Sequence, residues 1–262
     1  WRFVGAPTLT AYLDRLTRQL EPPSGRQPSG VRVEVFDQPR VWTLALPSGT
    51  VLLSRGALES VEDEAELVFV LAHELSHSAE PGAARRLARL GLREVAAGES
   101  DGSPGVWARA AVDLIRVGHG RELEFAADAA GFAAAARLGY DLGAVRRYLD
   151  RLGTRQETGD AAVAELVLAH PPVASRLRRL DAFVANRPPE RRRVTRTNRE
   201  VFRRVAGVQV LATRLAPVEG LGERRTARQS VPERANERGV RPWLVLAALL
   251  VALAAIVGWY WW

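Results

Sequence analysis

Cysteine, methionine and lysine are absent from this chain of 262 residues, and aromatic residues make up only 7% of it. Without cysteine there is no disulfide, no thiolate metal site and no cysteine nucleophile, so any metal has to be held by histidine and carboxylate. Without methionine the chain does not begin at an ordinary start codon, and a piece ahead of Trp1 is expected, whether a signal peptide, a longer leader or simply more of the chain. Without lysine, all 37 basic residues are arginine, and the formal charge of +7 reflects an arginine- and alanine-rich composition. No aromatic-interleaved basic stripe or zinc-knuckle spacing accompanies that charge, so no nucleic-acid partner is expected. With 47% hydrophobic residues the chain can bury one substantial core plus appendages.

Leu9, Leu13, Leu16 and Leu20 recur at helical spacing behind Thr8, which predicts an amphipathic helix over 8–20, capped by that threonine and stopped by Pro22 and Pro23. Strict alternation over 31–35 predicts a half-buried strand. Residues 41–46, the turn Pro47-Ser48-Gly49 and residues 50–53 complete what reads as a small antiparallel meander. Ser60, followed by Asp63 and Glu64, marks the start of a helix over 64–79 that Pro81-Gly82 ends. Helical periods follow at 85–93, 106–117, 121–138, 142–152, 161–168 and 173–184, with a Gly/Ser-rich break at 98–105.

From 186 to 241 the composition turns to Arg, Glu, Pro and Gly, with a short apolar run at 205–215. That predicts a small accessory strand or helix and then a flexible linker. The last 20 residues, Trp243–Trp262, carry no charge and close on the aromatic cluster Trp259-Tyr260-Trp261-Trp262. As a helix at about 1.5 Å per residue they span about 30 Å, the thickness of a bilayer's hydrocarbon core, so a C-terminal transmembrane helix is expected. Arg234, Arg238 and Arg241 precede it and no charge follows. This places the bulk of the chain on the cytoplasmic side, or across the membrane if a signal peptide preceded Trp1.

The chemistry concentrates at His73-Glu74-Leu75-Ser76-His77. Residues four apart share a helix face, so the two imidazoles can hold one cation at about 2.0–2.1 Å while Glu74 reaches the space beside it. Metal-assisted hydrolysis needs that arrangement, because zinc acidifies water and a neighbouring carboxylate takes its proton and later hands it to the leaving amine. A third ligand is required. Glu124-Phe125-Ala126-Ala127-Asp128 offers two carboxylates four apart, with Arg121 one turn earlier. One carboxylate can bind zinc while the other orients a ligating histidine through its ring N–H. Their apolar surroundings argue that these charges are buried and partnered.

HELSH, then RELEFAAD, then AHPPVASRL, in this order, resemble the membrane-associated metallopeptidase family that includes HtpX, the CAAX prenyl endopeptidase and BepA. The stretch VRVEVFDQPRVWTLALPSGTVLLSRGALE is similar to that family's strand–turn–strand ahead of the active helix, so the likeness covers 31–180. By position the resemblance implies His73, His77 and Glu124 as ligands of one Zn2+ per chain, Glu74 as general base and acid, and Asp128 with Arg121 as supporting residues. It also puts His170 close to the metal, either stabilising the oxyanion or occupying the open coordination position, with Arg176 nearby. One departure stands out: Trp42-Thr43 takes the place of the family's usual Asn-Ala pair.

The expected fold is α+β, a mainly helical zincin-like metallopeptidase domain over 1–185 with a small antiparallel sheet. An Arg-rich accessory segment and linker over 186–242 and a transmembrane helix over 243–262 follow. The expected activity is zinc-dependent endopeptidase action on polypeptides, misfolded or membrane proteins among them. The rival is a non-proteolytic, membrane-tethered zinc-binding chaperone or adaptor with a blocked site.

Overall fold

The computed structural model describes residues 4, 6–20, 31–80, 82, 83, 85, 89, 120–164, 166, 170–188 and 196–207. The expected helix at 106–117, most of that at 85–93, residues 165, 167 and 168 of that at 161–168, and everything beyond 207, the expected membrane span included, lie outside them. Among the described residues no helix is long and apolar enough to cross a membrane.

The chain opens with α1 (Pro7–Thr17), which buries Leu9, Leu13 and Leu16 as its spacing predicts. Thr8 is not its cap. Pro7 takes the first helical position, where its fixed φ suits the helix and its missing N–H costs nothing, and Ala6 is the residue ahead. Three strands follow, β1 (Arg32–Phe36), β2 (Thr43–Ala45) and β3 (Thr50–Ser54), then the short α2 (Arg55–Ser60), which periodicity did not reveal.

The sheet is mixed, not the antiparallel meander expected. Its order is β1-β3-β2, with β1 parallel and β2 antiparallel to β3. The connection from β1 is what separates β1 from β2, because it is pinned across the end of β3. Ser54 Oγ donates to Arg40 O (2.7 Å) and accepts from Trp42 N (2.9 Å), and Gly56 N donates to Gln38 O (2.9 Å). A side chain at 56 would put its Cβ 2.1 Å from Pro39 O, so only glycine lets the connection pass. The middle strand β3 is buried at all five positions.

The central element is α3 (Glu64–Ser78), buried everywhere except Ser76. Its apolar residues and its charged ones alike are covered, because α3 is packed by α4 (Arg121–Arg137), α5 (Leu142–Glu157), α1 and the sheet. Its cap is Asp63, whose side chain accepts from Glu66 N (3.1 Å), while the Glu66 carboxylate accepts from Glu62 N (2.8 Å). Ser60, the expected start signal, instead ends α2. Gly131 lets α4 come close, its α-carbon facing Phe69 where any Cβ would sit 2.6 Å from the ring. The last long helix among the described residues is α6 (Val173–Ala185).

Residues 196–207, within the expected accessory segment, belong to this body. The short α7 (Arg199–Phe202) and a π turn over Arg203–Gly207 bury Phe202 and Ala206 in the core. Thr197 O accepts from Glu64 N (3.0 Å), and Asn198, in the left-handed region at φ 49°, donates to the Glu64 carboxylate. The same fully buried carboxylate accepts from Tyr12 (2.7 Å), Arg15 (3.1 Å) and Tyr140. Four donors thus satisfy a charge that burial alone would not tolerate.

Candidate metal centre

The crossing of α3 and α4 brings together the residues that spacing singled out. His73 Nε2 and His77 Nε2 lie 3.2 Å apart, as their separation of one helical turn dictates. From α4, Glu124 Oε2 is 3.5 Å from His73 Nε2, and Glu124 Oε1 is 3.4 Å from His77 Nε2. All three residues are buried.

Four donors tetrahedrally placed at about 2.0–2.1 Å from a zinc ion are about 3.3–3.4 Å from one another. The three donors here have that mutual spacing. Glu124 Oε1 has no hydrogen-bond donor among the described residues although it is buried, a costly state that a cation would relieve. With two imidazoles and one carboxylate and no thiolate in the chain, the set fits a single divalent cation of the zinc type.

The ligating face is held from behind. Asp128, one turn beyond Glu124 on α4, meets His73 Nδ1 at 3.1 Å and so turns Nε2 toward the centre. Arg176 of α6 grips both oxygens of Asp128, donating from Nε at 2.9 Å and from Nη2 at 2.6 Å, and is itself buried. Arg121, expected at this position, is exposed as the first residue of α4. The guanidinium on Asp128 comes from the AHPPVASRL segment instead.

Glu74, also buried, accepts a hydrogen bond from Thr43 Oγ1 of β2 at 2.6 Å. His170, just ahead of α6, places Nδ1 against Glu124 Oε2 and its ring centre 5.1 Å from that of His73. His73, Glu74 and His170 form a second group of donors, with His73 common to both. Phe69, Val70, Tyr148, Leu152 and Leu166 line the small open pocket beside His73, Glu74 and His170. Thr43 carries no local signal of its contact, and the sequence places Arg176 near the metal only through the resemblance of its AHPPVASRL segment.

Charge in the cluster follows from these contacts. Burial pushes the His73 imidazole down, but hydrogen bonds to Asp128 and Glu124 outweigh it and raise it to about 9. Burial opposes ionisation of Glu124 and Asp128 as well. The three histidines nevertheless hold Glu124 far below the usual carboxylate range, and Arg176 with His73 does the same for Asp128. His170 is lowered by its burial, against the pull of Glu124. The result is two ionised carboxylates facing imidazoles: Glu124 is in the state a divalent cation requires of a ligand, whereas His73 has to give up its proton to bind one.

Residues 7–184, well over half of the chain, match the family model described as peptidase family M48. No curated protein matches the chain.

Proposed function

The chain belongs to peptidase family M48, a family of metallopeptidases, and from that premise we propose that it is a zinc-dependent endopeptidase whose cation is held by His73, His77 and Glu124. The observation that carries this reading is the mutual spacing of those three donors, 3.2–3.5 Å, with the Glu74 carboxylate fixed beside them. A zinc ion there supplies Lewis acidity toward a peptide carbonyl and toward the attacking water. Glu74 takes the proton of that water and returns it to the leaving amine. Asp128 and Arg176 keep His73 in the tautomer that offers Nε2 to the metal. A polypeptide reaches the site by adding as a strand to the outer edge of β2, the edge strand of the sheet on the side of Glu74. Unfolded or misassembled membrane and envelope proteins are the proposed substrates, and the apolar run at 243–262 is the proposed tether to the membrane that carries them.

The contact of His170 with Glu124 favours a second reading. In it His170 takes the position that water or substrate needs, and the chain acts without proteolysis as a tethered zinc-binding chaperone or adaptor. Zinc content and casein cleavage, measured for the parent, Glu74→Gln, Glu124→Ala and His170→Ala, separate the two. The first reading expects zinc without activity in Glu74→Gln and loss of both in Glu124→Ala. Full activity in Glu74→Gln removes Glu74 from the chemistry, and tight zinc binding by Glu124→Ala places the third ligand elsewhere. An inactive parent that His170→Ala activates supports the blocked site.

A further inference from the structure

The hydrogen bond that orients Glu74 does not come from its own helix. It comes from Thr43, whose Oγ1 donates to Glu74 Oε1 at 2.6 Å. A hydroxyl this close to a buried carboxylate is a charge-assisted bond, about twice as strong as a neutral one. The backbone of Thr43 is fixed in turn. On one side Trp42 N donates to Ser54 Oγ (2.9 Å) and the Trp42 ring packs edge-on against Phe36 at 5.2 Å; on the other, Leu46 N donates to Thr50 O (2.8 Å).

The register of β2 gives Thr43 a second role. In an antiparallel pair the backbone groups of successive residues point alternately to the partner strand and away from it. The bonds Leu46 N to Thr50 O and Ser54 N to Trp42 O turn Trp42, Leu44 and Leu46 toward β3. Thr43 and Ala45 therefore turn their N–H and C=O groups outward, to the edge on which no strand is paired among the described residues.

We propose that Thr43 is a positioning residue. Its hydroxyl holds Glu74 by Oε1 and leaves Oε2 to the attacking water, and its backbone is the point at which a bound polypeptide pairs with β2. One residue thereby fixes the distance between the base and the peptide bond to be cut. This rests on the assignment of Glu74 as the base. The effect is large because a misplacement of about 1 Å in a catalytic arrangement costs on the order of a hundredfold in rate.

The test uses the full chain as Thr43→Val, which removes the hydroxyl and keeps the branched shape, Thr43→Ala as a second deletion, and Thr43→Ser, which keeps the donor. Thr43→Val and Thr43→Ala are expected to lose roughly 10–100-fold in kcat with KM and zinc affinity little changed, and Thr43→Ser to keep most of the rate. In the metal-free protein, Thr43→Val should lower the melting temperature in the parent and have little effect in a Glu74→Ala background, where no acceptor remains. Parent-like kcat in Thr43→Val, a loss confined to KM, an equal loss in Thr43→Ser, or identical melting shifts in the two backgrounds each overturn the positioning role. Full activity in Glu74→Gln instead sinks the assignment of the base, so the two failures are told apart.

Discussion

Replacing Asp128 by asparagine separates the two tasks of that side chain. Asp128 is fully buried, meets His73 Nδ1 at 3.1 Å, and takes Arg176 Nε and Nη2 at 2.9 and 2.6 Å. Asparagine keeps the shape, halves the acceptor capacity and leaves the guanidinium, itself only 5% exposed, without its counter-charge. Breaking one side of a buried ion pair costs about 3–5 kcal/mol, which for a body of this size is a fall of roughly 6–20 °C in melting temperature. Loss of the carboxylate behind a ligating histidine lowers metal affinity by about 10–100-fold. Thermal and urea unfolding of the metal-free protein read the first effect, and a zinc titration against a competing chelator reads the second. Adding Arg176→Leu to Asp128→Asn removes the stranded charge, so the double variant should regain part of the stability while zinc affinity stays low. A stability change under about 1 kcal/mol, the ordinary effect of a single substitution, together with unchanged zinc affinity, would refute the reasoning.

Gly131→Ala should destabilise, although alanine normally favours a helix interior by about 1 kcal/mol, because the new Cβ would meet Phe69 Cδ2 at 2.6 Å and Phe69 O at 3.0 Å. Phe69 cannot swing aside, being stacked on Phe132 at 5.4 Å, so urea unfolding should show overpacking of about 1–3 kcal/mol exceeding that gain. Arg121→Ala, at an exposed position, should leave stability within about 0.5 kcal/mol and zinc affinity unchanged. His73 is raised to about 9, so in the metal-free protein its contribution is fully present below the ordinary histidine pKa of about 6.5 and is lost as pH rises through about 9. Zinc displaces that proton, so the melting-temperature gain on adding zinc should grow between about pH 6.5 and 9, and a flat or falling gain would contradict it. Phe202→Ala should cost about 3–5 kcal/mol in unfolding experiments if residues 196–207 are part of the core, and almost nothing if they are linker.

What was legible in the sequence is what depends on neighbours a few residues away. One helical turn separates His73 from His77 and Glu124 from Asp128, so their shared faces follow from period alone. The helices that carry them begin and end within a residue or so of where periodicity and the Pro81-Gly82 stop put them. Pairing across the chain has no such local signature. Alternation located β1, and the turn Pro47-Ser48-Gly49 the strands flanking it, without revealing that β3 lies between β1 and β2, because that order is set by the loop pinned at Ser54 and Gly56. Apolar surroundings suggested a buried Arg121, yet the residue opens its helix beside exposed Gly120, and the charge that Asp128 needed came from Arg176, 48 residues away. Arg-rich composition likewise concealed Phe202 and Ala206, which enter the core through two apolar contacts too few to alter an average.

The knot of donors on Glu64 also orders events in time. Asn198 is made 134 residues after the carboxylate it grips, an interval of roughly 7–27 s at ordinary rates of synthesis on the ribosome. Tyr12, Arg15 and Tyr140, the other donors to that carboxylate, are all made before Asn198. The clasp on the helix that carries His73 and His77 is thus completed by a stretch of chain that supplies none of the ligands and is made after all of them.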